Sequence, residues 1–319
     1  MTKRIMIGVF SYNEGRNLSN IIYQLLEQTT GMEAKIVLMD ESDEEESIEI
    51  ARNLISRYHL DHFGDWHSRL GKVPMINVLF RHFMESDADI LLHFDADHVL
   101  HNNCVNEMVN ALRQGFDVIA GLNLCLPGRN LFERALRVML RPSEMSRAIP
   151  HYPFPLVGHN GGYSRRAISA IYPLPETGAN EEQYILYTAL FGGMKCAVIP
   201  SAKTYFRTVS NIPDYISGGR RVIGSEISYV EGRFDTDAHY KCAENVDKEH
   251  EAERKKLRED IYKRPPLSFM VRAIMEDPPA AMVIPFVLVI RAGIFRSAKP
   301  YSSNVWNIVK STKELQRIR

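Results

Sequence analysis

The stretch "DILLHFDAD" (Asp89 to Asp97) decides the fold, because it joins an apolar run to two alternating acids. An apolar run of this length that stops at acids predicts a buried strand whose carboxylates lie at its C-terminal edge, where open α/β sheets bind their ligands. Two carboxylates that turn toward one cation are hard oxygen ligands, which suit Mg²⁺ or Mn²⁺. The stretch therefore predicts a site for a metal and a phosphate at Asp95 and Asp97. A solvated acidic turn is the alternative that this motif alone leaves open.

The segments around this stretch alternate between strand-like and helix-like patterns. Apolar, strand-like runs lie at residues 4–10, 35–39 and 116–122, and amphipathic helical patterns lie at residues 17–28, 47–58, 73–84 and 102–112. This alternation is typical of a mostly parallel sheet with helices on both faces. No GxGxxG motif follows the first strand, so a dinucleotide-binding site is disfavoured. The segment at residues 129–155 is basic and aromatic with several prolines, and it predicts a loop-rich substrate region.

The composition is that of a folded globular protein. Of the 319 residues, 45% are hydrophobic and 24% are charged. Lysine plus arginine and aspartate plus glutamate balance at 39 each, so we expect no nucleic-acid partner. The four cysteines have no zinc-site spacing, and the N-terminal apolar stretch is short for a signal sequence. These features favour a reduced protein that faces the cytoplasm.

Polar residues also follow the first two predicted strands. The segment "SYNEG" (Ser11 to Gly15) ends the first strand, and Asp40 ends the second. Carboxylates at successive strand ends line the crevice of an open sheet, where each can accept a hydrogen bond from a base or a ribose hydroxyl. Helix capping and turn chemistry explain Asn13 and Ser42 equally well.

Taken in order, four segments resemble the motifs of family 2 glycosyltransferases, which have the GT-A fold. The segments are "SYNEG", "LMDESDEEES" (Leu38 to Ser47), "GKVPMIN" (Gly71 to Asn77) and "DADILLHFDADHVL" (Asp87 to Leu100). The similarity covers residues 4–125 and continues more weakly over the next hundred residues or so. It implies an α/β GT-A fold with an open, mostly parallel central sheet, helices on both faces and a helical C-terminal tail.

The resemblance also implies a nucleotide-sugar donor, with a UDP-sugar favoured, and Mg²⁺ or Mn²⁺ as cofactor. A divalent cation would stabilise the charge that develops on the nucleoside diphosphate leaving group. Asp95 and Asp97 would hold the metal, whereas Lys72 alone also fits an ordinary surface lysine. The implied donor-binding residues are Phe10, Tyr12, Glu14, Asp40, Lys72, Asn77, Asp95, Ala96, Asp97, Arg220 and Arg221.

Inverting transfer requires a base that takes the proton of the acceptor hydroxyl. In the family this base is an acid of a pair that follows a glycine-rich stretch, which "NGGYSRR" (Asn160 to Arg166) matches. The resemblance assigns Glu182 as the catalytic base, with Glu181 as its substitute. Both acids are also explained as favourable charges at a helix N-terminus.

Two positions depart from the family pattern. Phe206 stands where the family often has a metal-ligating histidine, so the third protein ligand is open. The segment "GGRRV" (Gly218 to Val222) replaces the QxxRW motif, which disfavours a processive synthase. Its two arginines suit a diphosphate or an anionic acceptor, and a solvated helix face explains them as well.

Two alternatives compete with the transferase. His93, Asp95, Asp97 and His98 give "HxDxDH", one substitution from the "HxHxDH" motif of binuclear metallo-hydrolases. If this alternative is wrong, His93 should face the packed side of the sheet and His98 should lie in a turn near phosphate. The second alternative is a GT-A-like domain without turnover that serves as a membrane-attached binding subunit.

The domain organisation follows from these patterns. The resemblance implies a GT-A domain at residues 1–232, with a nucleotide-sugar-binding half at residues 1–125 and an acceptor-binding half at residues 126–232. We expect a charged helical linker at residues 233–266 and amphipathic helices at residues 267–319, for which membrane association is one of two alternatives.

The C-terminal tract predicts a helix in the membrane interface. Its apolar core, residues 280–295, contains Pro285 and Arg291 and is short for a spanning helix. The tract resembles the tails of family members that act on lipid-linked acceptors, and its flanking cations suit anionic headgroups. We therefore expect attachment to the cytoplasmic face of the cell membrane and a lipid-linked or cell-envelope glycan as acceptor. Packing on the catalytic domain or at a dimer interface is the alternative.

Overall fold

The computed structural model describes residues 4–149, 152, 158–175, 181–220 and 265–297. Within these residues the strands form one eight-stranded sheet in the order β3-β2-β1-β4-β7-β6-β8-β5. The strands are β1 (Ile5–Ser11), β2 (Ala34–Asp40), β3 (Asp61–Phe63), β4 (Ile90–Asp95), β5 (Val99–Leu100), β6 (Val118–Cys125), β7 (Asn160–Ser164) and β8 (Cys196–Phe206). Strands β7 and β5 run against the other six, so the sheet is mostly parallel, as predicted.

Helices cover both faces of the sheet. They are α1 (Arg16–Gln28), α2 (Glu45–Tyr58), α3 (Lys72–Glu85), α4 (Cys104–Arg113), α5 (Leu131–Arg147), α6 (Arg165–Ile171) and α7 (Glu181–Phe191), followed by α8 (Leu267–Glu276), α9 (Pro278–Ala281) and α10 (Ile284–Ser297). Helices α1, α2 and α4 share one apolar cluster with the sheet, and α3, α6 and α7 share the other. Because both faces are covered, the central strands are continuous apolar runs.

The sheet edge at which the sequence predicts a ligand site is formed by the C-terminal ends of β1 and β4. It lies where the order of the strands reverses. From β1 the chain adds β2 and β3 on one side, and β4 pairs with β1 on the other side. Ligands of open α/β sheets bind at such a switch point, outside the carboxyl ends of the strands. Phe10 and Asp95 are neighbours in register at these ends, and the Ala96 amide donates to the Phe10 carbonyl at 2.8 Å.

Helix α5 occupies the segment for which a loop-rich region was predicted, so that prediction is wrong for residues 131–147. The Asn130 side chain caps the helix by accepting from the Glu133 amide at 2.9 Å. Apolar residues at helical spacing, including Ala135 and Leu136, are buried. The stabilisation from this packing exceeds the destabilisation caused by Pro142, which lies inside the helix.

The expected helical C-terminal tail is present and docks on α5. Ala273, Ala280 and Val287 are buried against apolar residues of α5. The acids Glu276 and Asp277 point toward α5 as well, where arginines pair with them. In the described part of the chain, Pro278–Ser297 is the one stretch long and apolar enough to cross a membrane, and most of it is exposed. Except for its last two residues, the predicted linker at 233–266 lies outside the described residues, and the domain boundaries stay predictions.

Candidate active site

Asp95 ends β4 and is held by two groups that can carry positive charge. Lys72, the first residue of α3, places its Nζ 2.9 Å from both carboxylate oxygens of Asp95 and also donates to the Gly158 carbonyl. The His159 Nδ1 lies 3.1 Å from Asp95 Oδ2. Burial alone would raise the pKa of Asp95, but Lys72 and His159 hold it well below its usual range. Asp95 is therefore an ionised acceptor at the switch point of the sheet.

Asp97 lies two residues further on and pairs with an imidazole. Its Oδ1 is 2.8 Å from His98 Nδ1, and its side chain is 30% exposed. Burial acts to raise the pKa of Asp97, but the contact with His98 lowers it below its ordinary value. The His98 ring is buried, and among the described residues its Nε2 finds no hydrogen-bond partner. Both acids of the motif thus face nitrogen groups and stay ionised at neutral pH.

His159 joins this cluster, although no motif in the sequence singles it out. Its ring stacks on Phe206, with centroids 6.4 Å apart and planes at 9°, and on His98 at 5.1 Å. Phe206 is the residue that replaces the expected histidine ligand. The structure therefore brings an imidazole from the residue before β7 to the aromatic side chain at that position. The one sequence signal was the place of His159 directly before the glycine-rich motif.

The two acids of α7 lie near the same cluster. Glu181 is almost fully buried; burial raises its pKa, and the charge of Lys72 opposes that rise. The Glu182 carboxyl packs so closely on Gly158 that a Cβ at that position would clash with it. Since Lys72 donates to the Gly158 carbonyl, both acids lie close to the Lys72–Asp95 pair. The role of either acid as catalytic base stays a prediction. Both acids nevertheless lie at the sheet edge that holds Asp95, where that role would require them.

A platform of aromatic and charged groups follows β1. The Tyr12 hydroxyl donates to Asp43 Oδ2 at 2.8 Å, and the Arg69 guanidinium lies 3.8 Å above the Tyr12 ring. Glu14 accepts from Asn17 at 3.2 Å. An aromatic ring with a cation and acids at this edge offers stacking and hydrogen-bond partners for a nucleoside.

Asp40 and Asn77 have their polar groups engaged inside the protein. Asp40 is fully buried and accepts from Trp66 Nε1 and Ser42 Oγ, each at 2.9 Å. The Asn77 amide exchanges two hydrogen bonds with the backbone of Leu174, at 2.7 and 2.9 Å. Their donor-binding roles stay predictions, and the structure gives each residue a structural task.

The remaining predicted residues divide into three cases. Phe10 and Ala96 are buried, and they are joined by the backbone hydrogen bond that links β1 to the end of β4. Arg220 is exposed at the end of a helical segment, residues 212–220. Arg221 lies outside the described residues.

The described residues do not assemble the ligands that the binuclear hydrolase alternative requires. His93 is buried on the packed side of the sheet, as predicted, with its ring against Phe10 and Tyr163 at 5.6 and 5.7 Å. The described residues contain no group of three or more His, Cys, Asp or Glu side chains that could hold a metal ion. A two-zinc site needs more protein ligands than this. Two carboxylates instead fit Mg²⁺ or Mn²⁺, which keep water or substrate oxygens among their ligands.

Comparison with known structures supports the fold. A mannosyltransferase, PcManGT from Pyrobaculum calidifontis in complex with GDP-Man and Mn²⁺, superposes with a TM-score of 0.57 and 16% identity over 93% of this chain and 88% of that one. GalNAc-T7 with UDP, GalNAc and Mn²⁺ gives a TM-score of 0.51 and 16% identity over 66% of this chain and 45% of that one. At such identities the likeness concerns the fold, and it confirms the predicted GT-A class.

Comparison of sequences shows the family. No curated protein matches the chain. The family described as Glycosyl transferase family 2 matches residues 6–172, which is more than half of the 319 residues and includes β1 to α6. The resemblance seen in the four ordered motifs is thereby confirmed. The protein belongs to glycosyl transferase family 2 and is a glycosyltransferase.

Proposed function

We propose that the protein transfers a sugar with inversion from a nucleoside-diphosphate donor, in the first instance a UDP-sugar, to an acceptor hydroxyl. One observation carries this proposal: Asp95, Asp97, Lys72 and the Glu181–Glu182 pair meet at one edge of the sheet. The two similar structures hold GDP-Man or UDP together with Mn²⁺, which supports a nucleotide sugar as donor here.

Asp95 and Asp97 would hold a divalent cation, Mg²⁺ or Mn²⁺, which when bound stabilises the negative charge of the departing diphosphate. Both acids are ionised, and hard carboxylate oxygens are the ligands these ions prefer. Lys72 adds a second positive charge at the same edge, because its ammonium lies against Asp95. The chain thus offers both fixed charge and metal ligands to a diphosphate.

We assign the role of base to Glu182, with Glu181 as its substitute. The Glu182 carboxyl lies against Gly158, whose carbonyl accepts from Lys72, whereas Glu181 is almost fully buried. In the proposed reaction the acceptor oxygen forms a bond to the anomeric carbon while the bond from that carbon to the diphosphate oxygen breaks. The electron pair leaves with the diphosphate, and the acceptor proton passes to the Glu182 carboxylate.

The donor is identified by a screen of nucleotide sugars in thermal-shift and hydrolysis assays, with and without Mn²⁺. A bound donor should raise the unfolding temperature only with the metal, and slow release of nucleoside diphosphate should follow. If no nucleotide sugar is bound and none is hydrolysed, the proposed transfer from a nucleoside-diphosphate donor fails. Binding without any release would favour the inactive binding subunit instead.

We propose further that α8 to α10 attach the enzyme to the cytoplasmic face of a membrane and that its acceptor is lipid-linked or part of a cell-envelope glycan. Large apolar side chains are exposed along these helices, among them Leu267, Met275, Met282 and Val289. The acids of the same segment point inward to α5, so the outer face is apolar with exposed cations such as Arg272. This combination is typical of interfacial helices. A second copy of the chain is the competing occupant of this face, and the vesicle experiment below distinguishes the two.

A further inference from the structure

A layer of arginines and acids lies between the sheet and the C-terminal helices. Arg134 binds Asp277 through two hydrogen bonds of 2.7 and 2.8 Å. Arg141 bonds Glu144 at 3.1 Å and Glu276 at 3.0 Å. These two arginines are therefore matched by acids, and they fasten the tail to α5.

Two other arginines of the layer, Arg137 and Arg207, are not matched in this way. Among the described residues, Arg137 Nε and the Nε and Nη1 of Arg207 are buried without a hydrogen-bond partner. The Arg207 side chain is only 11% exposed, and the acid that faces it, Glu133, lies 3.9 Å from its Nη1. Glu133 already accepts hydrogen bonds from Arg129.

Buried N–H groups of an arginine that lack acceptors are costly. Leaving such a donor unsatisfied costs more than an ordinary hydrogen bond contributes, and charge makes the cost larger. A guanidinium presents a planar fork of donors that matches a phosphate group in two-pronged contacts. A phosphate that contacts Arg137 and Arg207 would supply the missing hydrogen-bond acceptors and a second negative charge beside that of Glu133.

The two arginines share a neighbourhood beside the reaction edge. Arg207 directly follows Phe206, whose ring packs on His98 and His159. Phe206 is in register with Cys125 of β6, and Arg137 lies within electrostatic range of the Cys125 thiol. Both arginines therefore lie around the same strand end, on the side of the site that faces the C-terminal helices.

We propose that Arg137 and Arg207 form a subsite for a phosphate group carried by the acceptor. This inference rests on the proposed function and adds the chemical class of the acceptor to it. The subsite lies between the end of β8 and α5, the helix on which α8 to α10 dock.

The test measures binding of hexyl phosphate to the full chain by isothermal titration, with EDTA present so that the metal-dependent donor site does not compete. Hexanol is the uncharged match, and inorganic phosphate is the second arm. The variants are Arg137→Gln and Arg207→Gln, each of which should weaken hexyl phosphate binding at least tenfold. Arg166→Gln is the control, because Arg166 is an exposed arginine of α6 and its loss should leave the affinity unchanged.

Each outcome decides the proposal. A phosphorylated acceptor is supported if hexyl phosphate binds more tightly than inorganic phosphate and hexanol shows no binding. Equal affinity for the two phosphates would contradict the acceptor assignment. Unchanged binding in both glutamine variants overturns the subsite and indicates that water satisfies these arginines. If a glutamine variant unfolds, Arg207→Lys keeps the charge and should bind less tightly than wild type because the fork is lost. Donor binding needs neither arginine, so the donor screen still tests the proposed function independently if phosphate binding is lost.

Discussion

The sheet edge around Lys72 and Asp95, called the donor edge below, and the C-terminal helices differ in which kind of side chain they bury. At the donor edge, charged groups such as Lys72 and Asp95 are about five-sixths buried and are held by one another. In α8 to α10 the acids are turned inward, whereas apolar side chains such as Met282 and Val289 are 82% and 70% exposed. The first arrangement prepares a polar ligand site, and the second leaves an apolar surface that water does not favour. The two proposed partners, a nucleotide sugar at the first surface and a membrane at the second, would each require the surface that the structure has there.

The largest expected effect comes from removing a carboxylate of the donor edge. Asp97→Ala should abolish metal-dependent turnover and remove the Mn²⁺ dependence of donor binding, since one of two protein ligands is lost. Donor hydrolysis and thermal shift with and without Mn²⁺ measure both effects. Asp87→Ala is the control, because Asp87 is exposed and pairs with Arg4. Full activity of Asp97→Ala would refute the assignment.

Variants of the two acids of α7, Glu181 and Glu182, should change the rate of transfer without changing the affinity for the donor. Glu182→Gln should lower transfer by about 10² to 10⁴-fold while donor affinity stays within twofold, because a base acts on the acceptor proton. Glu181→Gln should retain much more activity, since Glu181 is almost fully buried and its carboxyl is less accessible to an acceptor hydroxyl. Initial rates with saturating donor measure the two variants side by side. If Glu181→Gln shows the larger loss, the roles of the two acids are exchanged.

The apolar face can be changed without disturbing its docking on α5. Met282→Glu with Val289→Glu places two charges on exposed positions and should weaken vesicle binding by roughly a hundredfold, since burial of each side chain contributes about 1.5 kcal/mol or more. Sedimentation with anionic vesicles measures the partition. Deleting residues from Leu267 onward is a coarser test, because it also uncovers the buried Leu136 of α5.

The control for this variant is Asn102→Glu with Gln114→Glu, which adds the same charge at exposed positions near the ends of α4. It should bind vesicles nearly as well as wild type. If the Met282 and Val289 variant still binds vesicles but changes from a dimer to a monomer in sedimentation, the apolar face is an interface between copies of the chain.

Much of the fold and part of the site were predictable because their signals are local. Apolar runs that end in acids marked β1, β2 and β4, and the ordered motifs predicted that Lys72, Asp95 and Glu182 would meet. Parallel strands deliver their carboxyl ends to one edge, so sequence order alone places such residues together.

The rest depended on contacts between distant residues. The amide of Asn77 meets the Leu174 backbone 97 positions away, and no local pattern announces that pair. His159, which directly precedes β7, stacks on Phe206 at the end of β8. Helix α5 was not predicted from the sequence because it contains Pro142, and a proline inside a helical pattern usually ends the helix.

The smallest expected effect distinguishes a structural residue of the donor edge from a ligand. Asn77→Ala leaves both backbone groups of Leu174 without partners and should cost about 2 kcal/mol of unfolding free energy, or roughly 4–8 °C in the unfolding temperature. Asn77→Asp still accepts from the Leu174 amide, but its carboxylate faces the Leu174 carbonyl at a buried position, so it should lose at least as much stability at neutral pH. Calorimetry and donor titration on the same samples compare stability with affinity. A tenfold loss of donor affinity at unchanged stability would instead make Asn77 a direct donor ligand, and the donor edge would then extend along α3 beyond Lys72.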